Sequence, residues 1–185
     1  MANPLLDRAS PEELAARGQV IEITAKLGEF ERLVEIANEG MAAVAAEQHP
    51  REWQAAPVNI RLGFGWADER GKIPLLEGNI ETTVAVVCQR CLEPFELPLC
   101  TTLHMLLVKA ADEAFGQDEF EIWEIEEDLI RPLDIVEEAL IMALPLSAMH
   151  ASGERCQAPT ETVTGKNRDT IRPFADLRSR MNKPK

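Results

Sequence analysis

From Pro57 to Val108 the apolar residues keep a period of two, and that rhythm leaves little besides sheet for the middle of the chain. Val58, Ile60, Leu62, Phe64 and Trp66 alternate with Asn59, Arg61, Gly63 and Gly65. Successive side chains of a strand point to opposite faces, so the pattern predicts a half-buried strand. Asp68-Glu-Arg-Gly71 is a turn signal, and a long second strand follows over Ile73 to Val87. It sets Ile80, Thr82, Val84, Val86 and Cys88 on one face. A third strand, Phe95 to Val108, carries Phe95, Leu97, Leu99, Thr101, Leu103, Met105 and Leu107 on one face. Glu119 to Glu126 alternates as well, with Phe120 and Ile122 opposing Glu121, Trp123 and Ile125. No connection is long enough for a helical crossover, which predicts an antiparallel meander.

Helical signals flank this block. Ser10-Pro-Glu-Glu opens a short helix within Ala9 to Gln19, and Val20 to Thr24 reads as a strand. Glu29 to Ala46 carries Phe30, Leu33, Val34, Ala37, Met41, Val44 and Ala45 at helical spacing. The clearest helix is Pro132 to Leu144, with Asp134 as N-cap, Glu137 closing a capping box and Pro145 as the stop. The expected fold class is α+β: a curved antiparallel β-sheet, a meander with barrel-like closure as a variant, covered by a few helices. One domain over residues 1–165 and a basic, mobile C-terminal tail over residues 166–185 are expected.

Charge narrows the partners. The net charge is −13, which disfavours broad electrostatic wrapping of nucleic acid. Asp112 to Glu138 holds twelve acids against Arg131, whereas Thr164 to Lys185 holds seven bases against two acids. An acidic body with a basic tail suits a partner that is itself basic or mixed, such as a ribonucleoprotein. With no tyrosine and 5% aromatic residues, the chain lacks the usual base-stacking platform. Met1 to Asp7 has neither the basic start nor the apolar stretch of a secretory signal, and no apolar run approaches the ~20 residues of a membrane span. A cytoplasmic location is expected, where free or metal-bound thiols are commoner than structural disulfides.

The chemistry-bearing residues are few. Cys88-Gln-Arg-Cys91 sits in the turn between the second and third predicted strands. Two thiols at this spacing can hold one metal ion or close one small disulfide. A tetrahedral zinc site asks for two more ligands, and His150 and Cys156 in the loop after the last helix are the candidates. Buried, inert thiols at a tight turn are the plain alternative. A redox pair is a third reading, though such pairs gain reactivity at a helix N-terminus and this one lies at a strand turn. Cys100 and His104 share the other face of their strand, and His49 precedes Pro50 in a loop. Glu121, Glu124 and their acidic neighbours resemble a solvated sheet edge that resists aggregation. There is no Gly-rich phosphate loop, no nucleophile elbow and no H-E-x-x-H, so no enzymatic activity is expected.

Four stretches in order resemble the YceD family, the large ribosomal RNA subunit accumulation proteins. They are Val84 to Phe95 around the cysteine pair, the acidic strand after it, Leu133 to Pro145, and Arg172-Pro-Phe-Ala-Asp-Leu177. The resemblance implies a non-enzymatic role in the synthesis, processing or stability of large-subunit (23S) ribosomal RNA, with the pre-ribosomal large subunit, its RNA or its proteins as partners. Some relatives carry a cysteine-richer loop after the helix, which looks like a second metal-binding half; here that loop offers His150 and Cys156. Arg90, Arg172, Phe174, Arg178 and Arg180 are the candidate partner-contacting residues, with Arg172 and Phe174 anchoring the tail to the body or to the partner. The competing readings are a zinc-stabilised interaction module unrelated to the ribosome and a C-x2-C thiol oxidoreductase.

Overall fold

The alternation becomes five strands in the computed structural model, which describes residues 3–68, 73–109, 120–125, 128–151 and 156. They are β1 (Val20–Lys26), β2 (Pro57–Trp66), β3 (Pro74–Val87), β4 (Pro94–Lys109) and β5 (Glu121–Ile125). With α1 (Pro11–Ala16), α2 (Glu31–Met41) and α3 (Pro132–Ala143) they make the α+β architecture that the patterning implies. The strands lie side by side in chain order, and β1 and β5 are the outer ones. The sheet is therefore open, and the barrel-like variant is not formed.

The expected meander holds through β4 and then changes. β1 to β4 pair antiparallel, whereas β5 runs parallel to β4, with Glu121 beside Met105 and Ile125 beside Lys109. Period two reports which face is buried, and it is the same for either strand direction.

One face of the sheet is the core. Val58, Ile60, Leu62 and Phe64 of β2 line up with Ile21 and Ala25 of β1 and with Leu76, Ile80 and Val84 of β3. Leu33 and Ala37 of α2, and Ile135, Val136 and Leu140 of α3, close over them together with Leu27 and Phe30. Each large side chain buried this way contributes roughly 1.5–3 kcal/mol. Gly78 sits on this face between Leu62 and Leu103. A Cβ there would lie 2.6 Å from the Arg61 carbonyl oxygen and 2.9 Å from Leu62 Cδ2, so the position admits no side chain.

Two helix ends show how caps are chosen. Ser10 caps α1 as expected, its Oγ accepting from Glu13 N–H at 3.4 Å. The capping box expected at α3 is not formed. Asp134 lies inside the first turn and pairs with the Arg131 guanidinium, its Oδ1 accepting from Nε at 2.9 Å. Glu137 turns inward instead, and its Oε1 accepts from Arg32 N–H at 2.8 Å and Leu33 N–H at 3.3 Å. Phe30, the N-cap of α2, has no side chain able to do this, so α3 caps α2 from across the core.

β3 and β4 outrun their neighbours. β2 pairs with β3 only as far as Glu81, and β5 reaches β4 only from Met105 onward. Thr82 to Val87 and Pro94 to Leu99 thus form a two-stranded ribbon extending past the rest of the sheet. Val84 and Leu99 anchor its base in the core, but no third strand pairs with it among the described residues. Its end needs another source of order.

Candidate metal centre

The ribbon ends in a tight turn. Cys88 N–H donates to Glu93 O and Leu92 N–H to Cys88 O, both at 2.9 Å. Leu92 closes the turn in the left-handed region at φ +61°, with its side chain exposed. This geometry folds Arg90 N–H back onto Cys88 Sγ at 3.4 Å, so the backbone itself donates to the thiol.

The second half of the site arrives from α3. The helix ends at Ala143, with Leu144 extended as its C-cap and Pro145 after it, and the chain runs back to the turn. Gln89 N–H donates to Ala148 O at 2.8 Å and joins the two segments. Arg90 Nη2 donates to Met149 Sδ at 3.7 Å, and the His150 ring packs on Phe95 with centroids 4.5 Å apart. Cys91 Sγ then lies 3.4 Å from His150 Nδ1, and Cys88 Sγ lies 3.5 Å from Cys156 Sγ. The four ligand atoms of Cys88, Cys91, His150 and Cys156 all fall within 4.8 Å of one another, an arrangement that could hold a metal ion. Cys88 is fully buried and the other three are half-buried.

The electrostatics suit a cation. Burial pushes the Cys88 thiol up, but N–H donors from Cys91, His150 and Arg90, with Cys156 beside it, outweigh burial and bring it down to about 5. Burial pushes Cys156 up to about 11, reinforced by the neighbouring Cys88 and Cys91 thiols. Of the coupled thiols Cys88 is thus the more easily deprotonated, and deprotonating Cys156 beside it is costly until a positive charge arrives.

The other singled-out residues lie apart. Cys100 is exposed on the outer sheet face. His104, on the same face, meets Glu77 at 3.5 Å and stacks on Phe120. His49 Nε2 stays local, 3.1 Å from Val44 O. Arg172, Phe174, Arg178 and Arg180 lie outside the described residues. Sequence reasoning missed Phe95 as the support of His150 and Ala148 O as the tie to the turn. For Phe95 the signal was its place on the apolar face of β4; for a main-chain oxygen there was none.

The model of the family described as "Large ribosomal RNA subunit accumulation protein YceD" matches residues 76–179. That span includes all but the first two residues of β3, with β4, β5, α3 and all four clustered residues. A Haemophilus influenzae protein called "Large ribosomal RNA subunit accumulation protein YceD" is 35% identical over 94 residues, which are 49% of this chain and 52% of that protein. The chain thus spans about half the length of this curated relative. No solved structure matches. The hairpin, its cysteine turn and the helix that returns the loop to it lie within the family's own region, and the chain belongs to the YceD family.

Proposed function

We propose that this chain is a non-enzymatic factor of large-subunit ribosome biogenesis, supporting the synthesis, processing or stability of 23S ribosomal RNA. The observation that carries this reading is the family match across the segment that builds the cysteine hairpin. In this reading Cys88, Cys91, His150 and Cys156 hold one zinc ion. Tetrahedral zinc, with bonds of about 2.3 Å to sulfur and about 2.0 Å to nitrogen, sets its ligands roughly 3.5–3.8 Å apart. The 3.4 and 3.5 Å separations here are close to that. The ion's role is structural: it fixes the turn at the end of the ribbon to the loop after α3.

The fixed tip presents Arg90, exposed Leu92 and exposed Met149 as a docking surface. The acidic body avoids nonspecific RNA, and the tail residues Arg172, Phe174, Arg178 and Arg180 supply cationic and apolar contacts. The partner is a precursor of the large subunit, met through its RNA or its basic proteins, in the cytoplasm. No helix among the described residues is long and apolar enough to cross a membrane. A thiol oxidoreductase is less well supported, because Cys88, the thiol held as thiolate, is 0% exposed.

Gradient sedimentation of cell extract tests the reading. The protein is expected with pre-large-subunit particles at low salt and released at high salt, and its depletion is expected to lower 23S ribosomal RNA relative to 16S. A protein that stays at the top of the gradient, with unchanged 23S levels on depletion, overturns it. In that case a zinc-loaded protein would be an interaction module unrelated to the ribosome.

A further inference from the structure

We infer that Cys88 and Cys156 are a redox-modifiable pair: hydrogen peroxide closes them into a reversible disulfide, which takes over from the ion the tie between the cysteine turn and the loop after α3. The sulfur geometry carries the pairing by itself; only the release of an ion rests on the zinc reading above.

The surroundings of the cysteines divide them. Cys100 is exposed and lies outside the cluster. Within the cluster, Cys91 Sγ has His150 Nδ1 beside it at 3.4 Å, whereas Cys88 Sγ has Cys156 Sγ at 3.5 Å. A disulfide needs about 2.05 Å, so the two sulfurs have about 1.5 Å to close. The Gln89–Ala148 main-chain bond at 2.8 Å and the packing of Phe95 on His150 already hold the two segments in register.

Sequence separation decides what each pairing does. A Cys88–Cys91 bond closes one turn and joins nothing else. A Cys88–Cys156 bond spans 68 positions and links the two segments that the ion would link. In the chain-entropy account, closing a loop of about 70 residues instead of four favours the folded state roughly 70-fold more. Of these two pairings, only the long one preserves the junction once the ion is gone.

Burial orders the steps. Cys88 is 0% exposed and Cys156 is half-buried, so peroxide meets Cys156. A metal ligand of this kind is a thiolate. Its sulfur attacks one peroxide oxygen; the O–O bond breaks, Cys156 becomes a sulfenic acid, and the other oxygen leaves with a proton from solvent as water. Cys88 Sγ then attacks the sulfenic sulfur. The S–S bond forms, the S–O bond breaks, and the departing hydroxide takes a second solvent proton. Two thiolates, one peroxide and two protons give one disulfide and two waters. The burial that shields Cys88 from outside substrates suits it to this resolving role. The ion keeps Cys91 and His150, two of the four ligands a structural site uses, and is released. A dithiol reductant restores both thiols and the site.

Tryptic mapping of the zinc-loaded full chain, in a Cys100→Ser background, is the test. Cleavage after Arg90 and Arg155 puts Cys88, Cys91 and Cys156 on three separate peptides, so each pairing has its own mass. One equivalent of peroxide should join the Cys88 and Cys156 peptides about tenfold or more over any other pair. It should also release one equivalent of zinc to a chromophoric chelator, and dithiothreitol should reverse both changes. In concentrated urea without metal the short Cys88–Cys91 loop should win instead. Native protein that pairs mainly Cys88 with Cys91 or Cys91 with Cys156 overturns the inference. So does a pairing pattern that urea leaves unchanged, or oxidation to sulfinic acid with no disulfide. Protein that holds no zinc yet forms the Cys88–Cys156 link supports the pairing and sinks the zinc reading; zinc-loaded protein whose sulfurs pair otherwise sinks the pairing alone.

Discussion

Replacing Glu137 by alanine removes the only side-chain cap on α2 among the described residues, and its cost can be worked from the contacts. Glu137 is 6% exposed, and its carboxylate accepts from two main-chain donors, at 2.8 and 3.3 Å. Hydrogen bonds to a charged group contribute about 1.5–3 kcal/mol each, the longer one less. The negative charge also opposes the positive end of the α2 dipole, worth about 0.3–1 kcal/mol. After truncation the Leu33 N–H is left buried and the Arg32 N–H part-buried without that acceptor. The expected loss is about 2–4 kcal/mol. With a urea slope of about 2 kcal/mol/M, the unfolding midpoint should fall by roughly 1–2 M. Glu137→Gln keeps an acceptor without the charge and should lose about half as much. The neighbouring Glu138 is an internal control: it meets Arg32 at 2.9 Å, but the two side chains are 36% and 59% exposed. Glu138→Ala should cost under about 0.5 kcal/mol. A Glu137→Ala midpoint within 0.2 M or so of wild type, or a Glu138→Ala loss as large as that of Glu137→Ala, would refute the reasoning.

Three further outcomes follow from the same structure. Gly78→Ala forces a methyl against the Arg61 carbonyl, so thermal or urea unfolding should show a loss of about 1–3 kcal/mol. Leu92→Gly should instead stabilise, by up to about 1 kcal/mol, because it relieves a left-handed residue whose side chain is exposed. In chelator-treated protein, Cys88 is held at about 5 against about 8.5 for a free thiol, so the native state binds fewer protons between those values and stability rises with pH across that window, being lost as pH falls through about 5. Cys156, pushed to about 11, acts oppositely above about pH 8.5. Melting temperatures of the apoprotein should therefore climb from pH 5.5 to 8, and Cys88→Ala should flatten that climb.

The strands were readable because one face of the sheet is buried and the other wet; Val58 to Phe64 and Leu97 to Met105 record that contrast residue by residue. The parallel pairing of β5 was not, since Trp123 and Ile125 alternate identically in either direction. Glu137 looked like a local capping residue because Asp134 precedes it by three, yet its partners are 104 and 105 positions away. Local motifs predict caps well only when no distant helix end competes for the same carboxylate. The cysteine turn was visible as a motif. The approach of His150 and Cys156 depends on the bond between Gln89 and Ala148 and on the Phe95 ring, contacts that no spacing encodes.

Metal content per chain bears most directly on the Cys88–Cys91–His150–Cys156 centre. Protein purified without chelator should contain one zinc equivalent by elemental analysis, and a Cys88→Ser/Cys156→Ser variant should contain less than a tenth. Wild-type protein with under a tenth of an equivalent, folding no differently from the variant, would contradict a metal-fixed hairpin tip.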